Sequence, residues 1–128
     1  IGERVLFSGL CNDVPERLSK ADLFVLASGF EGFPLSILEA MRANLPVIAS
    51  DVGGVSESVV EGTTGFLVSK GDKDALADRL RLLITHPELR MRLGLQGRSF
   101  YEREFSFDVM YNRTFEIYQR VLERRGGA

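Results

Sequence analysis

The chain has 128 residues with 45% apolar and 27% charged side chains, the balance of one globular domain that can build its own core. Its 16 Lys and Arg against 18 Asp and Glu give a net charge of −2, with no basic excess to recruit nucleic acid, and the lone Cys11 excludes an internal disulfide framework or a cysteine-rich metal site. No apolar run approaches the ~20 residues of a membrane span. No signal-peptide pattern occurs, so a cytoplasmic domain is expected, and the opening on Ile1 rather than Met leads us to expect a piece of a longer protein.

Val5-Leu6-Phe7-Ser8, closed by Gly9, is expected as the first strand. Asn12-Asp13-Val14-Pro15-Glu16 then carries turn chemistry into a short helix, with Asn12 or Asp13 as its N-cap. Leu23 to Ala27 is apolar at every position, which predicts a strand covered on both faces, as in a parallel sheet. A glycine-bearing loop, Ser28 to Phe33, leads to a helix over Leu35–Met41, with Pro34 in the first turn. Leu35, Leu38 and Ala40 are expected to be buried there. Asn44 stands where that helix should stop, since Asn tolerates the left-handed backbone, and Pro46 forbids continuation.

Val47–Ser50 and Gly65–Val68 are two further short strands, and Asp51-Val52-Gly53-Gly54 leads into a helical turn between them. From Asp74 the pattern is helical throughout. Leu76, Leu80, Leu83 and Ile84 form one stripe, and Pro87 opens a second helix carrying Leu89 and Leu93. A last helix over about 107–122 places Tyr111, Phe115, Tyr118 and Leu122 at core-like spacing. Strands alternating with helices imply an α/β fold, an open parallel sheet of about four strands with flanking helices.

Ligands of such sheets bind beyond the carboxyl ends of the strands, and the best junction is Leu26 to Glu39. Gly29 and Gly32 allow close backbone approach there. The amides of Leu35 and Ser36 lack partners in the first turn, and with the positive end of the helix dipole they suit a phosphate or diphosphate. Glu31 precedes this tip. Glu39 lies roughly 7 Å along the axis at 1.5 Å per residue. Carboxylates repel a diphosphate but accept hydrogen bonds from hydroxyl pairs, so the two glutamates suit the sugars on either side of one. A nucleotide sugar has that pattern.

Phe30-Glu31-Gly32-Phe33-Pro34-Leu35-Ser36-Ile37-Leu38-Glu39-Ala40-Met41, followed by Pro46-Val47-Ile48-Ala49-Ser50-Asp51-Val52-Gly53-Gly54, closely resembles the donor-binding half of the retaining glycosyltransferases of family 4. The signature Glu, seven residues, Glu falls on Glu31 and Glu39, and Gly65-Phe66-Leu67-Val68 with Gly71-Asp72 matches the usual downstream run. The resemblance implies a GT-B enzyme of two Rossmann-like domains. Residues 1–128 would be the later part of the C-terminal, donor-binding domain, with the start of that domain and the acceptor domain missing.

It further implies that Glu39 holds the ribose hydroxyls and that Glu31 contacts the donor sugar near the reacting carbon. The backbone of Gly32, Phe33, Pro34, Leu35 and Ser36 would meet the diphosphate or sugar. The segment carrying Leu10, Asn12 and Val14 would line the base pocket. The expected partners are a UDP- or GDP-linked sugar and a glycan or lipid-linked acceptor, with no cofactor and no metal. The family's diphosphate-neutralising Arg and Lys lie upstream of residue 1, so the isolated chain is expected to bind donor poorly and to catalyse nothing. The family commonly has Gly where Asn44 stands, a change the shared backbone tolerance absorbs.

Other readings are kept beside this one. Glu31 could be a solvated loop charge and Glu39 an ordinary surface position. Gly53-Gly54 with Glu57 could assist the donor site or form only a tight turn. His86 reads as a helix-boundary residue and Cys11 as a packing one. The whole could instead be a non-catalytic interaction or assembly module, or a nucleotide-sugar epimerase, for which no acid/base pair is evident. In a whole enzyme the last helix is expected to pack partly against the missing domain, and in isolation to expose an apolar patch that drives self-association. A lipid-linked acceptor would place the parent enzyme peripherally at a membrane.

Overall fold

A computed structural model describes residues 2–126. Helix α1 (Val14–Ser19), strand β1 (Phe24–Leu26), α2 (Leu35–Arg42), β2 (Val47–Ser50), α3 (Val55–Ser58) and β3 (Gly65–Val68) alternate in order. Three helices follow: α4 (Lys73–Thr85), α5 (Pro87–Glu104) and α6 (Phe107–Gly126). The sheet is parallel in the order β1-β2-β3, with Phe24 opposite Val47 and Val47 opposite Gly65.

The sheet has three strands rather than four. Val5–Ser8 follows a short 3-10 turn at Gly2–Arg4 and joins no ladder. Leu6 is 83% exposed and Phe7 92% exposed, so the apolar run that predicts a strand there has neither a strand to pair with nor a face to cover. Strand β1 also departs from expectation. It lies at the sheet edge, only half-buried, with Val25 exposed. Central β2 is instead the strand buried at all four residues.

Because side chains alternate along a strand, β2 feeds two cores. Val47 and Ala49 pack with Ile37, Ala40, Met41, Leu45, Val55 and Val59 under α2 and α3. Ile48 packs on the opposite face with Phe66, Val68, Leu83 and Leu93 under α4 and α5. Burying side chains of this size contributes about 1.5–3 kcal/mol each, which is why an eight-residue helix of modest propensity is held firmly. Leu35 lies outside that core, exposed at the helix tip, whereas Ala40 is fully buried.

Helix α2 ends as expected. Asn44 has φ 60°, and the amides of Ala43, Asn44 and Leu45 turn back onto the last carbonyls. Helix α5 crosses this end closely, because a methyl on Gly94 would lie 2.0 Å from the Asn44 carbonyl oxygen. Asp72 caps α4 by accepting from the Ala75 amide at 2.9 Å. His86 joins α4 to α5, its Nδ1 within 2.9 Å of the Leu82 carbonyl. Ile84 departs from its predicted stripe and is exposed. Tyr111, Phe115, Tyr118 and Leu122 of α6, at core-like spacing, are also exposed. The Tyr111 ring instead stacks on Phe107 at 6.4 Å and on Phe115 at 6.1 Å along the helix. Among the described residues no helix is long and apolar enough to cross a membrane.

Candidate functional site

Strand β1 delivers the chain to the loop over residues 27–34, and α2 carries it away. Glu31 is half-buried in that loop, where Ser28 donates its hydroxyl to Glu31 Oε1 at 2.6 Å. The segment after β2 supports the loop from beneath. The Gly54 amide donates to the Gly32 carbonyl at 2.9 Å. A methyl on Gly53 would stand 1.7 Å from the Glu31 carbonyl oxygen, and one on Gly54 2.2 Å from that of Gly32. Gly53 also has φ +53°, so both the approach and the backbone require glycine. From the other side the Phe33 ring packs on Phe105 at 5.6 Å. The space above Gly32 is open.

Helix α2 starts without a cap. Pro34, still extended at φ −77° and ψ 108°, sits at the N-cap rather than inside the first turn and has no capping side chain to offer. The amides of Leu35 and Ser36 make no hydrogen bond among the described residues, and the first turn carries no acidic side chain. The tip therefore presents bare donors and the positive end of the dipole to solvent, worth about 0.3–1 kcal/mol for each anionic contact.

Glu39 is exposed one turn further on. It lines a cavity of about 280 Å³ between α1, α2 and α5, together with Val14, Pro15, Leu18, Arg42 and Arg98. Among the described residues Glu39 has no ion-pair partner; Arg98 is engaged with Glu102 at 2.5 Å and with the Arg42 carbonyl. An unpaired carboxylate beside apolar walls can accept from a diol. Near the start of α1, the Arg17 side chain donates to Asp13 Oδ1 at 2.8 Å and holds that carboxyl below the ordinary carboxylate range.

Glu31, Gly32, Phe33, Pro34, Leu35 and Ser36 are thus brought together at the mouth of α2, and Val14 faces Glu39 across the cavity. The two glutamates do not share one cavity. Leu10, 96% exposed, and Asn12 belong to the segment before α1 and lie outside that cavity's lining. Sequence reasoning did not single out Ser28 or Arg98. Arg98 arrives from α5 with no local signal, whereas Ser28 stands in the loop already chosen and is marked by its i, i+3 spacing to Glu31. Among the described residues no group of three His, Cys, Asp or Glu could hold a metal ion.

A parallel sheet with an uncapped helix tip beyond its carboxyl edge defines an open, Rossmann-like α/β domain. The family model described as glycosyl transferases group 1 matches residues 1–100, and the chain belongs to that family. N-acetyl-alpha-D-glucosaminyl L-malate synthase of Bacillus anthracis is 36% identical over 122 residues, which is 95% of this chain and 32% of that protein. Sucrose-phosphate synthase of Thermosynechococcus elongatus superposes with a TM-score of 0.90 at 31% identity, covering 96% of this chain and 31% of that one. HepE of Anabaena, solved with UDP-glucose, gives 0.78 at 27% identity over 98% of this chain and 33% of its own. The sequence spans about a third of the length of these relatives, and the fold is that of a GT-B glycosyltransferase domain.

Proposed function

We propose that residues 1–128 form the later part of a donor-binding domain in a longer cytoplasmic enzyme. That enzyme transfers a hexose, with retention of configuration, from a UDP- or GDP-linked sugar to a glycan or lipid-linked acceptor, and sits peripherally at a membrane when the acceptor is a lipid. The observation that carries this reading is the bare tip of α2, with Leu35 and Ser36 amides unpaired between two acidic side chains. The diphosphate lies on that tip. Glu39 accepts from the ribose diol, with Val14 beside it and the segment of Leu10 and Asn12 toward the base. Glu31, fixed by Ser28, contacts the hexose. As the bond from the anomeric carbon to the diphosphate breaks and one to the acceptor hydroxyl forms, the tip supports the charge developing on the leaving group. The relative solved with UDP-glucose supports a nucleotide-sugar donor.

The test is made on the full-length enzyme. Glu39→Ala should raise the Kd for the nucleoside diphosphate, and Glu31→Ala should lower kcat, each by about 1.5–3 kcal/mol, the cost of losing a charged hydrogen-bond partner. Full activity in both variants contradicts the assignment.

The exposed apolar face of α6, with Tyr111, Phe115, Tyr118 and Leu122, favours a second reading, an assembly surface through which the isolated chain self-associates. Sedimentation of the 128-residue chain should then be concentration-dependent and become monomeric in a Phe115→Glu variant. A monomer at all concentrations removes this reading and leaves the first intact.

A further inference from the structure

A second cavity of about 330 Å³ lies over the carboxyl ends of the sheet, on the far side of the Glu31 loop from Glu39. Ser28, Ser50, Ser69, Lys70 and Lys73 line it. The Lys70 side chain reaches back across the sheet edge to Gly29, where a methyl would touch its Cε at 3.5 Å and its Nζ at 3.6 Å. Among the described residues neither Lys70 nor Lys73 has a carboxylate within ion-pair distance. One carboxylate, Asp72, also lines the cavity, where its Oδ1 accepts from the Ala75 amide at the start of α4.

Ser50 supplies an independent sign. It is only 4% exposed, and its hydroxyl has no hydrogen bond among the described residues. No polar side-chain atom of those residues is both sealed and unpartnered, so the Ser50 hydroxyl opens onto the cavity it lines. A hydroxyl of a nearly buried residue that opens onto a cavity is free to bond a ligand atom there.

We infer that this cavity binds an oxyanion, a phosphate or carboxylate borne by one of the two sugar substrates. Two ammonium groups and a free hydroxyl have the charge and the donors for it. Ser28 joins this cavity to Glu31 through its 2.6 Å hydrogen bond, so the anion stands at the hexose end of the site. It is carried either by the acceptor or by a charged donor sugar. That the anion belongs to a substrate rests on the transferase reading above; the anion pocket itself does not.

The test uses the full-length protein and inorganic phosphate as probe, titrated calorimetrically with UDP saturating so that the α2 tip is occupied. Wild type should bind phosphate. Lys70→Gln with Lys73→Gln should weaken it about tenfold or more, and Ser50→Ala should weaken it less, with UDP affinity unchanged in all. Absence of phosphate binding in wild type, or equal binding in the lysine variant, overturns the pocket. Loss of UDP binding in wild type would instead strike the donor reading, and the phosphate titration without UDP still reads the lysines. Paired substrates then identify the carrier. Glucose 6-phosphate against glucose reports an anionic acceptor, and UDP-glucuronate against UDP-glucose an anionic donor. In one pair the preference for the charged member should fall about tenfold in the lysine variant; no change in either pair overturns the substrate assignment.

Discussion

Glu31 owes its position to backbone packing that its own neighbours do not supply. The carbonyls of Glu31 and Gly32 lie against Gly53 and Gly54 so closely that a methyl would overlap both, and the Ser28 hydroxyl fixes the carboxylate. Gly54→Ala in the full-length enzyme should therefore push the loop outward. A shift of about 1 Å at a reacting group can cost on the order of 100-fold in rate, while overpacking costs about 1–3 kcal/mol of stability. The expected result is a fall in kcat much larger than the fall in melting temperature implies; unchanged kcat would remove Glu31 from the chemistry. The turn residues at this site were legible because their signals are local: glycine, proline and glutamate at short spacing. Lys70 was not singled out, although it follows the carboxyl end of a parallel strand as the Glu31 loop does. Arg98 bore no mark, because only the crossing of α5 over α2 brings it to Glu39.

The crossing of α5 over α2 is itself set by small residues. Gly94 admits the Asn44 carbonyl, and Gly97 lies over Met41. Gly94→Ala should separate the helices and lower stability by about 1–3 kcal/mol, measured by denaturant midpoint; a neutral effect would mean that the two helices have room to slide. The junction of α5 and α6 depends on charge. Glu104 accepts from Arg113 at 2.7 Å and from Arg103 at 2.9 Å, and these bonds hold its carboxyl below the model-compound value of 4.5. A depressed carboxyl adds stability above its unfolded pKa and loses it as pH falls through the folded one. Amide protection at this junction, followed by hydrogen exchange, should hold above pH 4.5 and fall below it, with Arg113→Ala weakening the pH dependence and Arg103 leaving a remainder. At this scale the periodic stretches were readable: α2, β2, β3, α4 and α5 form where the pattern places them. An apolar run misled where burial depends on a neighbour, as at Val5–Ser8, which finds no strand to pair with. The stripe along α6 is exposed, as expected of the chain in isolation.

Across the whole molecule, one central strand feeds two cores, and all the candidate chemistry gathers at the carboxyl edge that those cores hold in place. The cavity with Glu39 lies on one side of the Glu31 loop and the cavity with Lys70 on the other. The uncapped start of α2 stands between the two acidic side chains in the sequence, and what binds there decides the donor assignment. Amide spectra of full-length protein labelled with 15N at Leu and Ser, recorded as UDP is added, test this most directly. Leu35 and Ser36 should show the largest shifts and saturate with the binding isotherm; UDP binding that leaves both resonances in place would contradict it.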